Sequence, residues 1–132
     1  MMGVFDFFKR KLKKSEPIIL DINADRIKWT GKDFEFLIVG EINIKPEDFE
    51  KIMTPNTIDC QKIERDDWIY FKTDKDEFSY SWEMPGIQMT FNSEISFLKA
   101  KQIADEVVEN IISTGQFAEL KIIENSKIYR FN

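Results

Sequence analysis

The sequence predicts an α+β fold: a mainly antiparallel sheet built from two meanders, with one long helix over about residues 94–113 packed across it. Three observations predict it. Phe78, Tyr80 and Trp82 alternate with Ser79, Ser81 and Glu83, and alternation resumes at 87–91 after Pro85-Gly86, the pattern of half-buried strands joined by a tight turn. A set of short β-prone runs, separated by polar turn residues, precedes them. The window 94–113 then repeats apolar residues at helical spacing. Runs of strands broken by few helices, without regular βα alternation, are the α+β pattern. The 132 residues read as a single domain, 1–132, long enough to bury a core without staples.

Taken in order, residues 3–13 predict a short amphipathic helix, with Phe5, Phe8 and Leu12 as its stripe and Val4 and Phe7 widening it. Pro17 ends it, because the residue before a proline leaves the helical region. Residues 18–22, 26–30 and 34–39 read as strands, with turns at 23–25 and 31–33; residues 41–44 continue the last beyond Gly40. Residues 46–53 suit a short helix, with Pro46 in its first turn and Glu47 and Asp48 at its positive end. Residues 58–63 lean to strand. Residues 67–72 are apolar on both faces and predict a central strand, joined through the polar tip 73–77 to 78–84. Proline at the second and glycine at the third position of the 84–87 turn predict type II. Asn92 or Ser93 caps the long helix, whose stripe is Ile95, Leu98, Ile103, Val107 and Ile111, widened by Phe97, Ala100, Ala104, Val108 and Ile112; Gly115 ends it. Residues 117–123 and 127–131 form a closing hairpin around 124–126.

Composition removes several chemistries. There is no histidine and one cysteine, Cys60, so the usual zinc sites, Ser–His and Cys–His pairs, and an internal disulfide are excluded. A reducing cytoplasm is the simplest compartment. Phosphate-cradling glycine loops, a nucleophile elbow and a calcium loop are all missing, and no cofactor is implied. The net charge of −5 is split: residues 1–14 carry five bases and one acid, and the remainder carries fourteen bases and twenty-three acids. An acidic body argues against nucleic acid, which needs a clustered basic face, and favours a basic protein partner.

Glu64, Asp66 and Asp67 read as a charged strand entrance, and the Asp74/Asp76 pair as a solvated hairpin tip lacking the ligands and glycine of a calcium loop. Trp68, Tyr70, Tyr80 and Trp82 read as sheet core, with one ring at a pocket rim where its polar atom finds a partner; a stacking platform for bases or sugars is the competing reading. The opening segment is read as a terminal helix docked on the acidic body. Its competing reading is an interfacial foot, in which Phe5, Phe7 and Phe8 enter the headgroup boundary and Lys9, Arg10 and Lys11 meet anionic lipid. Its apolar part precedes its charges, the reverse of a secretory leader.

A small acidic chain with the opening Gly3, Val4, Phe5, Asp6, Phe7, Phe8, Lys9, Arg10, Lys11 and no catalytic signature resembles bacterial immunity proteins, which protect a cell from polymorphic or contact-dependent toxins. The resemblance covers residues 2–11 and the general character of the rest, and it carries over no functional residues. It implies a non-enzymatic cytoplasmic inhibitor that binds a toxin domain and blocks its active site. Charge alone nominates contacts: exposed acids at Asp74, Asp76 and Glu77, and the outer helix face at Asp105, Glu106 and Glu109. The alternative is a peripheral membrane adaptor anchored by the opening segment. Sedimentation with anionic vesicles separates the two: an inhibitor stays in the supernatant with or without residues 1–14, whereas an adaptor pellets and loses this on truncation.

Overall fold

The computed structural model of the chain describes residues 28–131. The expected opening helix and the strand at 18–22 therefore lie outside the described residues, as do residues 26–27 of the 26–30 strand; residues 28–30 form no strand, only an isolated bridge from Thr30 to Ser96. Seven strands form one antiparallel sheet: β1 (Glu35–Val39), β2 (Gln61–Arg65), β3 (Trp68–Thr73), β4 (Asp76–Glu83), β5 (Gly86–Phe91), β6 (Glu119–Glu124) and β7 (Lys127–Arg130). Their order is β2-β3-β4-β5-β1-β6-β7. Two helices complete the described elements: α1 (Phe49–Met53), entered through a 3-10 turn at Pro46–Asp48, and α2 (Phe97–Ile112). The protein is thus α+β with an antiparallel sheet.

Strands β2 to β5 follow one another through tight loops. Asp66-Asp67 and Asn125-Ser126 both take positive φ at both positions, between strand ends that pair Arg65 with Trp68 and Glu124 with Lys127. Such two-residue loops match the right-handed twist of the strands they join. The β4–β5 loop is Met84-Pro85, with a cis bond between them and Glu83 paired to Gly86, so proline occupies the third turn position rather than the second. Gly86 serves space rather than a positive φ: a Cβ there would lie 1.9 Å from the Ile38 carbonyl oxygen of β1.

Strand alternation sends Phe71, Phe78, Tyr80, Met89, Phe91, Phe36, Ile38, Leu120 and Ile122 into the core. Rings interlock there. Phe71 stacks on Phe78 at 5.4 Å, and Phe36 meets Phe91 edge-on at 5.6 Å. Each such pair adds about 0.5–1.5 kcal/mol beyond its buried area. The inner face of α2 closes this layer with Phe97, Ala100, Ile103, Ala104, Val107 and Ile111.

Several expectations are corrected. Residues 41–44 are not strand, because Gly40 takes φ 152 and turns the chain away. β3 is not central: only β2 lies beyond it, and Trp68 is 46% exposed. Trp82 is also half exposed, so of the four expected core aromatics on β3 and β4 only Tyr80 is buried. The cap of α2 is Ser96, whose hydroxyl accepts from the Lys99 amide at 3.1 Å; residues 92–95 turn instead, and Thr30 bridges Ser96. Phe97 faces in as expected, but Leu98 faces out, because at 3.6 residues per turn it lies across the helix from Ala104, Val107 and Ile111.

A five-residue helix cannot hold itself, since nucleation costs more than so few hydrogen bonds return. The last carbonyls of α1 are captured by the core. Asn110 Nδ2 donates to Ile52 at 3.0 Å and to Thr54 at 3.1 Å, and the buried Tyr80 hydroxyl donates to Met53 at 2.6 Å. Asn110→Ala should lower unfolding free energy by about 2 kcal/mol, and Tyr80→Phe by about 1 kcal/mol, because each strands acceptors that water does not easily reach. Urea denaturation of the variants measures both.

Candidate functional site

The acids nominated by sequence fall into two places. Asp74, Asp76 and Glu77 belong to the β3–β4 turn beside the start of α2. Asp105, Glu106 and Glu109 run along α2, with Glu109 about 15 Å of helix beyond Lys99. They do not form one cluster.

Asp76 is corrected from an exposed tip to a buried anchor, 6% exposed. Its carboxylate accepts from Lys99 Nζ at 2.7 Å and from Asn92 Nδ2 at 2.9 Å. Lys99 Nζ also donates to the Thr73 carbonyl at 3.2 Å, and Asn92 Oδ1 accepts from the Glu77 amide at 2.9 Å. Asn92 and Lys99 therefore fasten the β3–β4 turn to the chain entering α2. Glu77 is half-buried and paired with Arg65 at 2.9 Å, and Arg65 lies over the Tyr70 ring at 4.2 Å. Only Asp74, with φ 59, is an exposed acid at this turn.

On α2, Asp105 pairs with Lys101 at 2.8 Å. Glu106 accepts from the Thr57 amide at 2.8 Å, from the Thr57 hydroxyl and from Gln102 at 3.1 Å. Glu109 is exposed. Burial by itself would raise Glu106, but the hydrogen bonds from Thr57 and Gln102 outweigh it and hold its carboxyl below the ordinary value. Glu106 is thereby a fixed negative charge, while Glu109 is an exposed one.

Between α1 and the end of α2 lies a polar cleft of about 340 Å³, with Asp48, Lys51 and Ile52 on one wall and Asn110, Ser113 and Thr114 on the other. Its polar groups are largely engaged: Ser113 Oγ donates to the Asn110 carbonyl at 2.7 Å, Thr114 Oγ1 to the Ile111 carbonyl at 2.6 Å, and Asn110 holds α1. No basic residue occupies the last turn of α2, so the negative end of its dipole is uncompensated within the helix.

Cys60 is partly buried against the core. Burial, with Asp59 adding to it, pushes the thiol up against the opposing hydrogen bond from Thr73, which suits a packing thiol rather than a reactive one. Among the described residues no group of three or more His, Cys, Asp or Glu side chains is placed to hold a metal, and no helix is long and apolar enough to cross a membrane. Phe5, Phe7, Phe8, Lys9, Arg10 and Lys11 lie outside the described residues. Comparisons with protein-family models, with curated proteins and with solved structures find no match.

Burial favours protonation of Asp76, but Lys99 and Asn92 bind the anion more strongly and hold its carboxyl below the ordinary value. A carboxyl depressed in the folded state stabilises fully above its unfolded value, near 3.9, and loses that contribution as pH falls through the folded value. Asp76→Asn should therefore lower stability at pH 7 and flatten its decline below about pH 4. Thermal unfolding of both proteins from pH 7 to pH 2 reads the difference.

Proposed function

We propose that this chain is a non-enzymatic protein-binding protein of the immunity type, a cytoplasmic inhibitor that docks a basic toxin domain and blocks its active site. One observation carries the reading: the charge on the helical side of the molecule. Residues 46–59, which hold α1, bring Glu47, Asp48, Glu50 and Asp59 against Lys51 alone. α2 adds Asp105, Glu106 and Glu109 against Lys99 and Lys101, and Lys99 is turned to Asp76. With Lys62 of β2 paired to Glu50 at 3.3 Å, seven acids therefore face three bases. Such a field raises the encounter rate with a basic partner and repels acidic competitors. The hydrogen bonds that fix Glu106 supply part of this charge without an ordering cost on binding. In this reading the sheet is two meanders meeting at β1, with α2 as the long helix laid across them, and the helical layer is the working face.

The test starts with affinity capture from lysate of the source cell and identification of any stoichiometric partner. The purified partner is then titrated with the wild type and with the double variant Asp105→Lys, Glu109→Lys. Neither residue holds the core, so folding should be unchanged. The association rate should fall by about ten-fold or more at low salt, and its salt dependence should flatten. Unchanged kinetics would remove the electrostatic basis of the proposal. A captured partner whose toxicity is not relieved by co-expression would remove the inhibitor role.

A further inference from the structure

Three large apolar side chains stand in water at one end of the sheet: Trp82 at 50% exposure, Met84 at 96% and Phe117 at 69%. The backbone gathers them. Gly40 donates its amide to the Pro85 carbonyl at 3.3 Å, which sets the Met84-Pro85 loop against the end of β1. On its other side a Cβ on Gly40 would lie 2.6 Å from the Phe117 carbonyl oxygen, so only glycine lets the α2–β6 connection come this close. Trp82 is braced from below by Phe49 of α1, with ring centroids 5.8 Å apart. Asn43 then donates to Gln116 at 2.6 Å, tying the loop after Gly40 to the segment before Phe117.

The geometry points to this apolar knuckle as the dry centre of an interface for a basic protein partner, an inference that rests on the proposed function above. The surrounding charge commits the occupant. Glu83 precedes Met84, and residues 40–49 carry Glu41, Glu47 and Asp48 against Lys45. A second copy of the chain would bring two acidic rims together, which costs free energy. A partner with an apolar or aromatic patch ringed by lysine and arginine satisfies both features, with the knuckle desolvated and the acids at the rim. Tryptophan on a rigid support is the side chain that most often dominates such contacts. The knuckle adjoins the polar cleft and the negative end of α2, so one partner surface can cover all three.

The test places a photoreactive benzophenone side chain at position 84, at position 117 and, as a control at the opposite end of α2, at position 98, each in the full chain expressed in the source cell. Irradiation should join positions 84 and 117, but not 98, to the same basic protein. With that protein purified, Met84→Glu and Phe117→Ala should each weaken binding by about 30-fold or more while leaving thermal unfolding unchanged. Crosslinking of 84 and 117 to the chain itself, whether a second copy or residues 1–14, overturns the inference. So does an unchanged affinity of both variants, and if the Asp105→Lys, Glu109→Lys pair still slows association, the proposed function stands without it. A crosslinked partner that is acidic overturns both.

Discussion

Everything on the helical side of the molecule depends on three carbonyl groups at the end of a five-residue helix. Ile52, Met53 and Thr54 sit where α1 has no further turn to bond them. Asn110 of α2 and Tyr80 of β4 do so instead. This contact is where sheet, long helix and short helix meet. It sets the height at which Phe49 rests under Trp82, and it forms the floor of the cleft between α1 and α2. Removing it would cost more than its hydrogen bonds, because α1 has little propensity of its own to fall back on.

The two ends of α2 do different work. At its start, Asp76, Lys99 and Asn92 form a closed polar unit in which each charge is answered and little is left for a partner. A half-buried pair of this kind fixes register between a turn and a helix more than it adds net stability. At the other end the acids are less answered, the helix carries no basic terminal residue, and large apolar side chains stand in solvent. Completed interactions hold the fold at one end, while those at the other are incomplete, and it is on these that the proposed function rests.

The alternation of 78–84 told which face of β4 points inward. The loops at 74–75 and 125–126 lay between clear strand runs, whereas the one at 66–67 was missed, because 58–63 only leaned to strand and Asp67 was read into the strand that starts at Trp68. Alternation does not tell how far along a strand the covering layer reaches. Trp82 shares a face with Tyr80 yet extends past α1 into solvent, and nothing local marks that boundary. Asp76 did leave a signal, since it lies two residues before Phe78 and four before Tyr80 and so belongs to the inward face; its partner Lys99, distant in sequence, did not. Leu98 was placed inside together with Phe97, although at 3.6 residues per turn it lies across the helix from Ala104, Val107 and Ile111. Met84 and Phe117 were missed for a simpler reason: a single large apolar residue in a loop carries no periodicity.

Among the described residues, the sheet has two open rims, β2 and β7. Both are short and charged: Lys62, Glu64 and Arg65 on one, of both signs, and Lys127 and Arg130 on the other, both positive. A strand arriving side-on would have to align its backbone against four or five residues while desolvating these groups, so such a chain finds little purchase. Lateral growth of the sheet is discouraged at both of these rims, which leaves the aromatic end of the sheet, rather than its edges, as the surface the proposed function calls on.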